Sequence, residues 1–181
     1  MKLKKMITVC RKDGVLAVAD DDSSGRWIGN VRFWWSGELY SGMSAENICR
    51  MNDISQKQID NMLLYDKAEL PEWKDAETAE AEEVRLAGYE IVFGGREIVV
   101  LYTDGGQYLL LDADALAPWN GLDAPELYLI RDAAGLCHIK AMEGMIPVGL
   151  FELESADVHE QAQRIFAGRM PVLREEEDDD H

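Results

Sequence analysis

The sequence predicts an α+β fold built on a mostly antiparallel sheet, and three observations carry that expectation. Apolar residues between Trp27 and Trp35 recur at alternate positions, the period of a strand with one buried face. In the second half, turns at Gly94-Gly95, Asp104-Gly105-Gly106, Asp132 to Gly135 and Glu143-Gly144 separate short runs rich in β-branched residues and tyrosine, as hairpins do. Between these regions, residues 55–87 have the composition of helices.

Taken in order, residues 6–10 and 15–19 flank Lys12-Asp13-Gly14, whose glycine tolerates positive φ, and read as a hairpin. A polar loop follows over 20–25. In the aromatic strand Trp27, Val31, Phe33 and Trp35 share one face and Asn30, Arg32 and Trp34 the other, and Ser36-Gly37 turns it into a strand over 38–40. Ser55 with Gln58 three residues on is a capping box, predicting a helix of about four turns that stops near Leu70 and Pro71. Alanine and glutamate alternate densely through 75–87, predicting a second helix stopped by Gly88. Strands follow at 89–93, 98–103 and 107–111, with Asp112 placed to cap a helical turn, and again at 127–131, 136–141 and 147–153. Ser155 then opens a helix whose stripe is Val158, Ala162, Ile165 and Phe166. The expectation is two three-stranded meanders, each followed by a helix, over 89–117 and 127–168. Gly105 and Gly144 are 39 residues apart, and Asp112 with Glu152 and Asp114 with Glu154 are 40 apart; two copies are too few to separate a duplicated unit from the short menu of hairpin lengths.

With 181 residues, 47% hydrophobic and 29% charged, the chain has the size and composition of one globular domain, expected over 1–174. The run 175–181 reads as a disordered acidic tail. No stretch approaches the roughly 20 apolar residues that cross a bilayer, and the apolar run after the basic start is cut short by Arg11, Lys12 and Asp13, so a cytoplasmic protein with no membrane partner is expected. Cys10, Cys49 and Cys137 lack CxxC spacing and read as free thiols. Of the net charge of −17, residues 66–83 contribute eight carboxylates against two lysines, and 175–180 six more with no base. Such a chain repels nucleic acid phosphates, so no direct nucleic acid binding is expected.

Candidate chemistry is sparse. Asp20, Asp22, Ser24 and Gly25 match the start of a calcium loop, but Val31 stands where its bidentate glutamate belongs, and a polar hairpin loop explains them as well. Asp104, Asp112 and Asp114 could converge on a divalent ion or serve as turn and cap residues. Cys137 and His138 are adjacent on a predicted strand, so their side chains point to opposite faces and form no dyad; His159 and His181 lie on the last helix and at the terminus. The glycine pairs lack the helix and lysine of a phosphate cradle, and no cofactor is expected.

Surfaces for a protein partner are better represented. Arg32 and Trp34 share the strand face opposite Phe33 and Trp35, a composition seen at interface hot spots, unless a helix covers that face. Glu77, Glu80 and Glu83 fall three apart on the expected acidic helix, where a basic or nucleic-acid-binding protein would relieve their repulsion. The first reading is a non-catalytic acidic binding or adaptor protein. The alternatives are an inhibitor that mimics nucleic acid and a metal-dependent hydrolase built on Asp104, Asp112 and Asp114.

Overall fold

The first element is a helix, α1 (Leu3–Asp13), and not the expected strand. Met6, Ile7 and Cys10 fall one turn apart and are buried together, while Arg11 and Lys12 occupy the last turn, where cations suit the helix dipole. Gly14 is its C-cap, at φ 73°, donating its N–H to the carbonyls of Cys10 and Arg11. The computed structural model describes residues 2–76, 81–120, 124–155, 157, 158 and 160.

The aromatic stretch is two strands. After β1 (Val15–Asp21) come β2 (Gly25–Gly29) and β3 (Phe33–Ser36), separated by a turn that Asn30 builds. Its Oδ1 accepts the N–H groups of Arg32 at 2.8 Å and Phe33 at 2.7 Å, while its own N–H reaches the Phe33 carbonyl. That local bonding outcompetes a continuous strand and leaves Val31 exposed at the tip. Residues 38–40 form a turn of 3₁₀ helix where a strand was expected.

Helix α2 (Ala45–Met51) had no counterpart in the sequence reading, although Ser44 accepts the Asn47 N–H as its N-cap. The capping box at Ser55 forms, but its helix α3 (Gln56–Ile59) lasts one turn. Leu63 then gives its N–H to the Gly14 carbonyl at 2.8 Å, and β4 (Leu63–Tyr65) pairs parallel with β1. A longer helix would forgo that pairing, so tertiary structure overrides the propensity of 60–70. The helix expected over 75–87 is likewise corrected. Residues 77–80 lie outside the described residues, and the strand β5 (Glu82–Phe93) runs through 82–87, with Gly88 inside it at φ 77°.

The remaining strands are β6 (Arg96–Thr103), β7 (Tyr108–Asp112), β8 (Glu126–Arg131), β9 (Cys137–Glu143) and β10 (Ile146–Glu152), with a 3₁₀ segment at Ala113–Trp119 capped by Asp112. Of the last expected helix, residues 157, 158 and 160 are described and are helical; the tail over 175–181 lies outside the described residues. Among the described residues one ten-stranded sheet joins the strands in the order β4-β1-β2-β3-β10-β9-β8-β5-β6-β7. Every neighbouring pair is antiparallel except β4 with β1, so the fold is α+β with a mostly antiparallel sheet.

The sheet curls until its second half nearly closes. Two residues past β10, Glu154 donates its N–H to Leu110 of β7 at 2.9 Å, so the ends of the six-strand run from β10 to β7 meet at a seam. The inner face carries Leu16, Ile28, Phe33, Trp35, Leu101, Leu111, Ile139 and Phe151, packed against Met6, Ile48 and Trp119. On the outer face, Trp27, Trp34, Ile130 and Leu150 lie under a strap, residues 68–76, that contributes Trp73. A separate outer cluster of Ile91, Ile98, Val100 and Leu110 meets Val158.

Two aromatics lie over glycines. Phe151 folds back over Gly149, at the bulge of β10, so a methyl group there would overlap its ring. Gly149→Ala is expected to cost about 1–3 kcal/mol, read as a lower urea midpoint at unchanged slope.

Candidate functional site

Arg32 and Trp34, expected on one strand face and open to a partner there unless a helix covers it, part company. Trp34 is only 7% exposed and packs beneath Trp73, Ala68 and Leu70 of the strap. Arg32, in the β2–β3 turn, reaches the seam, where its guanidinium lies 2.8 Å from Glu154 and 3.7 Å from Asp112. Arg96, at the start of β6, grips Glu154 through two bonds of 2.8 and 3.0 Å and also reaches Asp112 at 3.2 Å. The carboxylate side chains of Glu154 and Asp112 are 4% and 8% exposed. Burial alone would push the Glu154 carboxyl up, but the Arg96 and Arg32 guanidiniums outweigh it and hold the group below the usual range. Arg32 therefore clasps the seam of the sheet.

The carboxylates singled out for metal binding are engaged with different cations. Asp112 belongs to the seam cluster and accepts the Asp114 N–H as a cap, Asp114 pairs with Lys12, and Asp104 lies 3.7 Å from Arg85. Among the described residues no group of three or more His, Cys, Asp or Glu side chains is placed to hold a metal. In the calcium-like loop, Asp21 accepts bonds from the backbone and hydroxyls of Ser23 and Ser24, and Asp20 pairs with Arg26. These are the contacts of a polar hairpin.

The acidic stretch is dispersed as well. Asp66 accepts the Ala45 N–H at the start of α2, Asp75 pairs with Lys74, and Glu82 accepts the Gly105 N–H. Glu83 sits on β5, so no helix face carries it in line with Glu77 and Glu80, which lie outside the described residues.

Cys137 and His138 occupy opposite faces of β9. Cys137 packs against the inner core, while His138 stacks on Trp73 with centroids 4.4 Å apart and planes 11° from parallel. His138 Nε2 lies 3.1 Å from Asp132, whose carboxyl that bond holds below its usual range. This is the orienting half of an acid–base pair. The other ring nitrogen is buried with no hydrogen-bond partner among the described residues, and the ring serves as the seat of the strap. Lys140, two residues along the same face, donates to the carbonyls of Lys74 and Ala76 at 2.9 Å, and Lys74 pairs with Asp21 at 2.8 Å. The strap is thus fastened at Trp73, Lys74 and Ala76.

An open arrangement of backbone and side chains lies elsewhere, at a fork between β5 and β8. The two strands pair over only Glu82–Leu129, Glu83–Tyr128 and Val84–Leu127. Continuing that register would set Leu86 against Pro125, which has no N–H to give. β5 also breaks register against β6 between Leu86 and Glu90, where Gly88 takes its positive φ, and bends away. A cleft of ≈ 730 Å³ opens in the fork, lined by Leu86, Tyr89, Glu90, Glu97, Val99, Leu116, Trp119, Asn120, Pro125 and Lys5. Its apolar wall includes Leu86, left 44% exposed, and its acidic wall Glu90 and Glu97. The site is hidden in the sequence because the alanine and glutamate content of 75–87 predicts a helix there. The alternation of Val84 and Leu86 with Glu83 and Arg85, together with Pro125, was the available signal. No family model, curated protein or solved structure matches the chain.

Proposed function

We propose that this chain is a non-catalytic protein-binding protein that docks its partner in the cleft between β5 and β8. The observation that carries the reading is an exposed apolar wall beside a strand edge that has no strand partner among the described residues, a combination that intramolecular packing normally removes and that docking sites retain. Two further facts support it. The side chains with the most chemistry in the sequence, Arg32, Asp112, Glu154 and His138, are committed to holding the seam and the strap. The cleft, by contrast, presents Leu86 and two exposed carboxylates to solvent.

Site-specific photocrosslinking tests this. A benzoylphenylalanine at position 86 is expected to capture a discrete protein from extracts of the cells that make the chain. The same probe in place of Leu39, which is exposed and outside the cleft, should not capture it. Suppression of the adduct by an excess of unmodified chain, and not by its Leu86→Asp variant of unchanged thermal stability, would tie capture to the cleft. Equal capture at both positions, or none at position 86, would remove the reading.

A further inference from the structure

The fork has a second property, which concerns its backbone. β6 pairs with β5 along most of its length, from Val84 to Phe93, whereas β8 leaves β5 after Val84. Along residues 85–93, therefore, the edge of β5 turned away from β6 has no strand partner among the described residues. Unpaired N–H and C=O groups in extended conformation are a template for another strand. Pro125, across the fork, cannot fill that role from within the chain.

The flanking side chains limit what could. The pairs Glu90–Val99 and Val92–Glu97 place acid and apolar side chains alternately on the face that looks into the cleft. Val92, on that face but beyond the cleft lining, is 72% exposed. Against Glu90 and Glu97 the described residues of the cleft lining offer one base, Lys5, while the third acid of the lining, Asp114, is already paired with Lys12. A strand lying along β5 would set its inward side chains against Leu86, Glu90 and Val92.

We infer that the cleft takes an extended, basic segment of a partner protein, added as a strand to the free edge of β5, with lysine or arginine side chains against Glu90 and Glu97 and apolar ones over Leu86. The inference rests on the docking reading above, and deepens it by naming the chemistry of the segment. Main-chain bonds to β5 provide the alignment, and the two carboxylates select positive over negative sequences.

Fluorescence anisotropy tests it directly with a labelled nonapeptide whose alternate, inward-facing positions carry leucine to meet Leu86 and lysine to meet Glu90, with threonine between them. That peptide is expected to bind. A copy N-methylated at alternate residues should not, because it cannot complete the ladder, and a copy with glutamate for lysine should not either. The double variant Glu90→Gln with Glu97→Gln is expected to weaken binding about tenfold while leaving thermal stability unchanged. Binding insensitive to N-methylation would mean adsorption of a cation to a chain of net charge −17, and would overturn strand addition. Absence of peptide binding alongside a partner captured at position 86 would also overturn it, while leaving the docking reading in place; the bulge at Gly88 and the charge of Glu90 would then act as edge protection. Failure of both experiments would remove both readings.

Discussion

Replacing Arg96 by alanine is expected to destabilise the protein by about 2–3 kcal/mol, at or below the lower end of the cost of breaking a buried ion pair, because the Arg96 side chain is itself 36% exposed and Arg32 still contacts Glu154. Removing both arginines should cost more, since Glu154 and Asp112 would be left buried without a cation. The cost is large because the cluster sits where the ends of the curled sheet meet. Arg32 comes from the β2–β3 turn, Arg96 from β6, Asp112 from the end of β7 and Glu154 from beyond β10. Urea denaturation measures the loss, and replacing Glu154 by leucine in the Arg96→Ala background should recover part of it, because an apolar pair tolerates burial where a lone carboxylate does not. A change under about 0.5 kcal/mol in the single variant, the size typical of a surface site, would show that the seam is held by backbone pairing alone.

The same cluster sets a pH dependence with a defined sign. Glu154 has a depressed folded-state pKa, so its stabilisation is present above the unfolded value of about 4.3 and is lost as pH falls through the folded one. In Arg96→Ala, burial is opposed by one guanidinium fewer and the carboxyl rises. The stability gap between wild type and variant is therefore expected to be widest near neutral pH and to narrow as the solution is acidified. Glu152, whose carboxyl burial pushes up, works in the opposite direction: its ionisation costs stability, and that cost is relieved on acidification.

How much of this was legible in the sequence depended on whether local or distant contacts decided each element. The hairpins of the second half were visible because turn glycines and β-branched runs act over a few residues, and Gly94, Gly95, Gly106, Gly135 and Gly144 all take positive φ. The capping box at Ser55 and the Asp112 cap formed for the same reason. Residues 6–10 misled because a short apolar run has no period of its own; Gly14 fits a hairpin turn and a helix C-cap equally well. Residues 82–87 misled because a strand pairing with both β6 and β8 overrides the propensity of alanine and glutamate. The docking cleft was illegible for a different reason, since it exists only where β8 departs from β5, a contact between positions some 40 residues apart. Arg32 stands out in the sequence for its charge beside an aromatic, yet its partners Asp112 and Glu154 are brought to it only when the sheet curls.

Trp34 separates the structural account from the earlier docking expectation most sharply. Were it an exposed contact residue, Trp34→Ala would leave the fold intact and abolish binding. Buried as it is, the substitution is expected to cost about 3–5 kcal/mol, as for Trp35→Ala on the opposite face. The two losses should differ in kind. Trp35 donates its indole N–H to the Ala115 carbonyl and packs with Phe33 and Phe151, so its removal weakens the inner core as a whole. Trp34 lies across Gly29, its cross-strand partner, where any side chain would collide with the indole, and beneath Trp73. Its removal empties the space under the strap, so trypsin is expected to cut at Lys67 and Lys74 well below the global unfolding midpoint in Trp34→Ala and only at that midpoint in Trp35→Ala. Because neither residue lines the cleft, the folded fraction of each variant should still crosslink its partner from position 86. Full stability of Trp34→Ala with loss of crosslinking would place the docking surface on the outer face of β3 after all.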